Sequence, residues 1–248
     1  MNAPILTARN VHVAFGGVRA ADDVALDIFP GEFLAIIGPN GSGKTTFLNL
    51  CTGYVRPTGG SISLSGREIT GLTPRAITQL GIARSFQHPQ LFTEQSLLEN
   101  VLLAVAARRH FWSPLRPLDR QAYVEEALSV IELIGLRHQT HSPVVNLPEG
   151  MRKLADIALA LALKPQLLLL DEPTSGVSSD EKFSLMDTLI SALRRQCVTA
   201  AFVEHDIELV RKYADRVAVW DQGRVFAVGD PDQVLSDARV MQAVVGVD

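Results

Sequence analysis

An apolar segment followed by a glycine-rich turn constrains the fold of this chain more than any other feature of its sequence. The segment Glu32–Ile37 is apolar after its first residue and leads into Gly38–Gly43, after which a helical pattern runs from Lys44 to about Leu50. An apolar strand, a glycine-rich turn and a helix in this order are typical of α/β proteins that hold a phosphate group at the start of the helix. The chain is therefore predicted to be an α/β protein with a phosphate-binding loop.

The glycine-rich turn matches the pattern G-x-x-x-x-G-K-[ST], the P-loop or Walker A motif. Its backbone N–H groups are expected to surround the β- and γ-phosphates of ATP, at distances that side chains would prevent. Lys44 would add a positive charge beside these phosphates, and the hydroxyl of Thr45 would bind Mg²⁺. The predicted ATP-binding residues are Gly38, Pro39, Asn40, Gly41, Ser42, Gly43, Lys44, Thr45 and Thr46.

A second apolar segment, Leu167–Leu170, ends in the acidic pair Asp171 and Glu172. Ligands of open α/β sheets bind at the carboxyl ends of the strands, so both carboxylates are expected beside the bound ATP. Asp171 is predicted to bind Mg²⁺, and Glu172 is predicted to act as the general base toward the attacking water. An acidic pair that only caps the N terminus of a helix is the structural alternative.

Composition argues against several other classes of protein. The net charge of −4 indicates no basic face, so no nucleic-acid partner is expected. The two cysteines, Cys51 and Cys197, lack a CxxC spacing and are expected to be reduced thiols. No apolar run approaches the ~20 residues of a membrane span, and the N terminus does not resemble a signal peptide. Any membrane contact is therefore expected to run through partner subunits.

Residues 89–148 differ in character from the rest of the chain. Leu97–Ala107 and Ala122–Leu136 are predicted helices. Arg108–Arg120 between them contains four arginines and is predicted to be a surface loop, with contact to solvent, lipid headgroups or a partner all left open. The α/β pattern then resumes, with helices predicted from Ile207 and at Asp232–Val245, and strands at Val198–Val203, Val217–Trp220 and Arg224–Ala227.

Three further segments distinguish this chain from other nucleotide-binding proteins. Gln87 follows Arg84-Ser85-Phe86, His205 follows an apolar strand, and residues 171–176 read Asp-Glu-Pro-Thr-Ser-Gly. In this order, and with the P-loop, they resemble the ATP-binding subunits of ABC transporters over essentially the whole chain. The resemblance implies a P-loop NTPase fold with a RecA-like core and a small antiparallel β-subdomain. It also implies a helical subdomain inserted at about residues 89–160, all within one ABC ATPase domain spanning residues 1–248.

The same resemblance implies roles for three side chains. Gln87 would contact Mg²⁺ and the attacking water. His205 would contact the γ-phosphate and orient the general base, although a histidine after a strand is otherwise most often structural. Phe15 would stack on the adenine ring, and burial in the core is its structural alternative. The implied metal-binding residues are thus Thr45, Gln87 and Asp171, and the implied catalytic residues are Glu172 and His205.

A narrower resemblance is to the ATPases of branched-chain amino-acid importers. It rests on Phe15-Gly16-Gly17-Val18, on residues 81–92, on the long insertion after Asn100 and on the ending at residues 230–246. It implies an ATPase that energises uptake of amino acids, amides or urea-like solutes from the cytoplasmic face of the inner membrane. The implied partners are two transmembrane permease subunits, a second ATPase subunit and a solute-binding protein that acts through the permeases. An export or lipid-extraction ATPase and a soluble ABC ATPase or regulator are the alternatives that the same motifs allow.

Two positions depart from the family pattern. The family has the signature Leu-Ser-Gly-Gly-Gln facing the γ-phosphate of the other subunit's ATP, whereas residues 147–151 read Leu-Pro-Glu-Gly-Met. Pro148 lacks an N–H donor, and Glu149 adds a negative charge near a phosphate. Ser178 stands where the family usually has an acidic residue. Because each ATP site of the family combines one chain's P-loop with its partner's signature, a heterodimer with one degenerate site is expected.

Overall fold

The structure is a computed structural model that describes residues 3–109 and 120–245. Its strands are β1 (Leu6–Phe15), β2 (Val18–Ile28), β3 (Phe33–Ile37), β4 (Gly59–Leu64), β5 (Arg67–Glu68), β6 (Ile82–Ser85), β7 (Leu167–Asp171), β8 (Thr199–Val203), β9 (Arg216–Asp221) and β10 (Arg224–Gly229). Its helices are α1 (Lys44–Cys51), α2 (Pro74–Leu80), α3 (Leu97–Arg108), α4 (Gln121–Leu133), α5 (Glu149–Ala162), α6 (Ser179–Arg195), α7 (Ile207–Tyr213), α8 (Pro231–Leu235) and α9 (Ala238–Val245).

A six-stranded sheet with the order β10-β9-β3-β8-β7-β6 forms the core of the fold. Strands β9, β3, β8, β7 and β6 are parallel, and β10 pairs antiparallel with β9. Every residue of β3, β7 and β8 is buried, which explains why these segments are predominantly apolar. The carboxyl ends of the parallel strands share one edge of the sheet, so the loops that begin at residues 38, 86, 172 and 204 all start there.

A second sheet, with the order β2-β1-β4-β5, is antiparallel. Strands β1 and β2 form a hairpin whose turn contains Gly16 and Gly17, both with positive φ. The buried residues of this sheet pack in one cluster with Leu34 and Ile36 of β3 and with Phe47 of α1. The structure therefore confirms an antiparallel β-subdomain that packs on the parallel core.

Helices α3, α4 and α5 pack against one another in a single apolar cluster. Val101 and Val105 of α3, Ala127 and Ile131 of α4, and Ile157 of α5 are all fully buried in it. A capping box closes the start of α3, because the Ser96 hydroxyl accepts from Glu99 N and the Glu99 carboxylate accepts from Ser96 N. With the two sheets, these helices confirm the predicted fold class, an α/β P-loop NTPase with a small antiparallel sheet and inserted helices.

The segment Asp232–Val245 is largely helical, as predicted, and the structure divides it into two helices. Helix α8 ends at Leu235 and α9 begins at Ala238. The carboxylate of Asp237 accepts a hydrogen bond of 2.9 Å from Arg239 N, which caps the first turn of α9. The predicted C-terminal end of the helix Ala122–Leu136 is wrong. That helix, α4, ends at Leu133, and Gly135 follows with a φ of 72°.

Only the ends of the predicted loop Arg108–Arg120 lie within the described residues, and residues 110–119 lie outside them. Arg108 is not in a loop, because it is the last residue of α3. Its guanidinium lies 2.6 Å from the carboxylate of Glu126 on α4, and that of Arg109 lies 2.9 Å from the same group. These two arginines therefore pair with the neighbouring helix.

Across residues 3–109 and 120–245, none of the helices combines the length and the apolar character needed to cross a membrane.

Candidate active site

The P-loop joins β3 to α1, and two of its glycines make close backbone contacts. Gly38 has a φ of +148°, and a Cβ at this position would lie 2.1 Å from Trp220 O. Gly43 has a φ of +106°, and a Cβ there would lie 2.2 Å from Ala20 O. Any side chain at either position would displace the backbone of a neighbouring strand, so both positions require glycine.

Lys44 begins α1, and its side chain points back into the P-loop. Its Nζ donates hydrogen bonds of 2.8 Å to both Gly38 O and Pro39 O. Burial lowers the pKa of Lys44, and nearby carboxylates act in the opposite direction. The hydroxyl of Ser42 is buried and has no hydrogen-bond partner among the described residues. A buried cation and an unpaired hydroxyl in a glycine-rich loop fit the phosphates of a nucleotide.

The remaining P-loop residues line the accessible side of the loop and the first turn of α1. Asn40 and Gly41 are exposed, Thr45 is exposed, and Thr46 is half-buried. A cleft of about 690 Å³ lies beside the loop, lined by Gly41, by Val18 and Arg19 of β2, and by Gln222 and Phe226 from the β9–β10 hairpin. The loop is therefore accessible from solvent at Asn40, Gly41 and Thr45.

Asp171 ends β7, and its two carboxylate oxygens have different partners. Oδ1 accepts a hydrogen bond of 3.3 Å from the Thr45 hydroxyl, so the two predicted metal-binding oxygens are adjacent. Oδ2 accepts a hydrogen bond of 2.6 Å from Nη2 of Arg84, which is equally buried. Arg84 Nη1 donates in turn to Asn49 Oδ1. Arg84 thus holds one carboxylate oxygen and leaves the other beside Thr45.

Glu172 follows β7 and brings three of the predicted residues together. Its Oε2 accepts a hydrogen bond of 2.7 Å from Gln87 Nε2, and its Oε1 lies 3.0 Å from His205 Nε2. Its φ of 50° is in the left-handed region, which is uncommon for a residue with a side chain. The carboxylate is therefore held from both sides at the carboxyl edge of the sheet.

The buried side chain of Glu204 accepts hydrogen bonds from two loops of the site. Glu204 accepts hydrogen bonds from Thr174 N at 3.2 Å, from the Thr174 hydroxyl at 2.7 Å and from His205 N at 3.3 Å. Burial raises the pKa of Glu204, and these donors act in the opposite direction. Glu204 therefore links the loop after β7 to the loop after β8.

Phe15 is not part of the core. It ends β1, pairs directly with Val18 of β2, and is 51% exposed, whereas Val18 is 68% exposed and lines the cleft beside the P-loop. The structural alternative for Phe15, burial in the core, is therefore wrong.

The segment that departs from the family signature begins α5. Pro148 occupies the cap position, and no side chain caps the helix. Glu149 lies in the first turn, with its carboxylate 3.9 Å from Arg152 Nε. The Ser178 hydroxyl donates a hydrogen bond of 2.7 Å to Glu181 in the first turn of α6. Both departures therefore lie at the start of a helix, and Ser178 is engaged with its own helix.

Sequence reasoning missed three charged residues around the site: Arg84, Lys153 and Asp156. All three are buried, Arg84 on β6 and the other two on α5. Asp156 interrupts the apolar run Leu154–Leu163, and a charge within such a run is the signal that could have marked it. The partners of Lys153 and Asp156 depend on how α5 packs, and those of Arg84 lie on α1 and β7; the sequence pattern gives neither.

The fold and the site define an ATPase of the ABC transporter class. A sequence model of the family described as "ABC transporter" matches residues 21–175, and the chain belongs to this family. It binds ATP and is an ATPase coupled to transport, as members of the family are.

Curated relatives with similar sequences extend over nearly the whole chain. The chain is 36% identical over 254 residues to the high-affinity branched-chain amino acid transport ATP-binding protein LivG of Escherichia coli strain K12, with 99% of each chain covered. It is also 36% identical over 257 residues to the corresponding protein BraF of Pseudomonas aeruginosa, again with 99% of each covered. The predicted resemblance to this group of ATP-binding proteins is thus confirmed.

Solved structures of ATP-binding cassettes have the same fold. A nucleotide-free cassette from an ABC transporter superimposes with a TM-score of 0.85 at 29% identity, covering 97% of this chain and 98% of that one. A cassette in its ADP conformation gives a TM-score of 0.86 at 29% identity, covering 99% and 100%.

Proposed function

We propose that this chain energises an ABC importer for branched-chain amino acids or related amides from the cytoplasmic face of the inner membrane. The observation that carries the ATPase part is that Gln87 and His205 both contact the Glu172 carboxylate, at 2.7 Å and 3.0 Å. The solute class follows from the near full-length similarity to LivG and BraF, whose names describe branched-chain amino acid transport.

In this proposal the P-loop residues Gly38–Thr46 hold the triphosphate and Phe15 stacks on the adenine. Support for the first part is the buried Lys44 ammonium and the unpaired Ser42 hydroxyl. Support for the second is the exposed aromatic face of Phe15 beside the cleft. Lys44 would place a fixed positive charge beside the phosphates. The attraction between this charge and the phosphates is stronger where water is partly excluded.

The side-chain oxygens of Thr45 and Asp171 are suited to bind Mg²⁺. Among the described residues, no group of three or more histidine, cysteine or acidic side chains forms a metal cage. Mg²⁺ bound with ATP needs only one or two protein oxygens besides phosphates and water, and the adjacent Thr45 and Asp171 oxygens supply them. Gln87 would be the third contact. The bound ion would offset negative charge on the phosphates.

The chemistry assigned to the chain's own residues is hydrolysis of the terminal phosphate. Glu172 takes a proton from the attacking water as the water oxygen bonds to the γ-phosphorus, and the bond to the β–γ bridging oxygen breaks to release ADP and phosphate. Gln87 orients that water. His205 orients the Glu172 carboxylate and contacts the γ-phosphate, so the proposed catalytic residues are Glu172 and His205.

We further propose that residues 1–248 form one ABC ATPase domain, with a helical subdomain at about residues 89–160. The mutual packing of α3, α4 and α5 supports this division.

The chain is proposed to work as half of a heterodimer with one degenerate site. Its P-loop, Glu172 and His205 would form the active site, whereas residues 147–151 would face the ATP of the second subunit. A carboxylate of Glu149 at 4 Å from a phosphate charge is repelled by ~4 kcal/mol at an effective dielectric constant near 20. Pro148 contributes no N–H, and Ser178 carries no charge. The site built on this signature would therefore be weak.

The proposed partners are the second ATPase subunit, two transmembrane permeases and a solute-binding protein that acts through them, with no nucleic acid. Purification of the tagged chain from native membranes in mild detergent tests this set. Recovery of a second, different ATPase with two hydrophobic membrane proteins is expected. Recovery of the chain alone would contradict the heterodimer and favour a soluble ATPase or regulator.

The solute assignment is tested by uptake of labelled leucine and of a labelled amide. Cells that lack the chain are expected to lose uptake of at least one of them, and the wild-type chain is expected to restore it. Unchanged uptake together with slower efflux or lipid release would favour the export alternative.

A further inference from the structure

Two buried charged residues of α5 have no part in the proposed chemistry. Lys153 is 1% exposed and Asp156 is 5% exposed, and they lie three residues apart on the same face of the helix. A buried charge is strongly unfavourable unless hydrogen bonds replace the lost water. The groups that satisfy these two side chains therefore indicate what the residues hold in place.

Asp156 binds the segment that contains Gln87. Its Oδ2 accepts hydrogen bonds from the Ser85 hydroxyl at 2.8 Å and from Phe86 N at 3.1 Å, and its Oδ1 accepts one of 2.9 Å from Gln90 N. These three donors lie on both sides of Gln87 in the sequence. The carboxylate thus fixes the path of the backbone from which the Gln87 side chain reaches Glu172.

Lys153 joins the backbone of Gln87 to that of Glu172. Its Nζ donates to Gln87 O, to Glu172 O at 3.4 Å and to the Ser175 hydroxyl at 3.1 Å. An ammonium group has three donors, and each of these has an acceptor here. The two residues whose side chains share the 2.7 Å hydrogen bond are therefore also held together through their carbonyl oxygens by one buried cation.

We propose that Lys153 and Asp156 are positioning residues that set the Gln87–Glu172 geometry and tie it to the orientation of α5. The same helix carries Glu149 in its first turn, Lys153 one turn later and Asp156 about two turns later. A rotation of α5 would move the carbonyl oxygens of Gln87 and Glu172 together. One rigid element thus links the chain's own hydrolytic site to the segment that, in the proposed function, faces the second subunit's ATP. This inference rests on the roles proposed for Gln87 and Glu172.

The test is the variant Lys153→Met in the assembly that copurifies with the full-length chain. The ammonium is lost while the unbranched stem is kept, and the P-loop is untouched. We expect kcat for ATP hydrolysis to fall at least about tenfold while KM for ATP stays within about twofold, since positioning errors reduce the chemical step. The backbone amides of Phe86, Gln87, His88 and Gln90 are expected to exchange hydrogen faster.

A second variant tests the same inference in case Lys153→Met does not fold. Asp156→Asn keeps the shape of the side chain but replaces one acceptor oxygen with an NH₂ group, and the same split between kcat and KM is expected. If neither variant folds, Ser85→Ala removes a single bond to Asp156 and is expected to lower kcat a few fold with KM unchanged. Lys212→Met is the matched control, because Lys212 is a half-exposed lysine that pairs with Asp187 on the surface.

Two outcomes would overturn the inference. One is a kcat within about twofold of wild type for Lys153→Met, and the other is an equal loss of kcat and of ATP affinity, which would indicate a general structural role. Glu172→Gln is assayed in parallel. If Glu172→Gln abolishes turnover and Lys153→Met does not reduce it, only this inference fails; if Glu172→Gln remains active, the proposed function fails.

Discussion

Gln87 Nε2 donates a hydrogen bond of 2.7 Å to Glu172 Oε2, although the two residues are 85 positions apart. The register of the parallel sheet explains the contact. Ser85 of β6 pairs with Leu170 of β7, and Gln87 and Glu172 each lie two residues beyond that pair. Both side chains therefore leave the same edge of the sheet at the same level. Strand pairing thus brings the two residues to the same level, and the hydrogen bond places the amide beside the proposed general base.

Removal of this amide is expected to slow hydrolysis without weakening ATP binding. In Gln87→Ala the Glu172 carboxylate loses the donor on one side, so we expect kcat to fall roughly tenfold to a hundredfold and KM for ATP to stay within about twofold. Steady-state ATPase kinetics measure both constants. Gln90→Ala is the control, because the Gln90 side chain donates to His88 O in the same loop and lies outside the Gln87–Glu172–His205 contacts. Equal effects of the two substitutions would contradict the proposed role of Gln87.

The close backbone contact at Gly43 predicts a large difference between two glycines of the P-loop. A Cβ at Gly43 would lie 2.2 Å from Ala20 O, whereas a Cβ at Gly41 meets nothing within 4 Å, and both residues have positive φ. Gly41→Ala should cost about 1–2 kcal/mol of unfolding free energy from backbone strain alone. Gly43→Ala should cost clearly more, since the backbone of β2 must also move. Urea unfolding of the two variants measures the difference, and equal losses would contradict the contact.

Glu204 predicts a specific dependence of stability on pH. Burial raises its pKa above its ordinary value of 4.5, so the folded chain keeps a proton that the unfolded chain releases. The folded state therefore loses relative stability as the pH rises from about 4.5 through the raised pKa. Glu204→Gln lacks this titration. Its unfolding free energy should therefore increase relative to that of the wild type as the pH rises through the raised pKa. Urea midpoints of both chains between pH 4.5 and 8 test this, and two parallel curves would contradict it.

The degenerate signature predicts that turnover at the weak site can be restored. In assemblies with Glu172→Gln, the residual ATPase activity would come from the site that uses Pro148–Met151. Changing Pro148→Ser, Glu149→Gly and Met151→Gln removes the repulsive charge and returns an N–H donor. We expect residual turnover to rise about tenfold, equivalent to ~1.4 kcal/mol in the barrier. A residual rate that does not change would contradict the assignment of this segment to a weak site.

The sequence predicts those parts of the site that follow from strand ends and local motifs. The P-loop is a local strand, turn and helix. Asp171 ends a strand that is otherwise apolar because it is buried on both faces, and Glu172 follows it. Gln87 and His205 needed the family resemblance, since their convergence depends on the strand order β8-β7-β6.

Other features depend on packing that periodicity does not encode. The partners of Arg84, Lys153 and Asp156 come from elements distant in sequence, so a charge in an apolar segment shows only that some partner exists. The sequence predicts that Asp232–Val245 is helical but not where α8 ends and α9 begins, and a side-chain cap at Asp237 marks the start of α9.

The most direct test of the account is ATP hydrolysis by the assembly that contains Glu172→Gln, measured beside binding of a fluorescent ATP analogue. The substitution keeps the shape of the side chain and removes the proton acceptor. We expect turnover to fall by about 10² or more while the analogue binds with an affinity within a few fold of wild type. Turnover close to that of the wild-type assembly would contradict the assignment of the general base and, with it, the proposal that this chain supplies the active site.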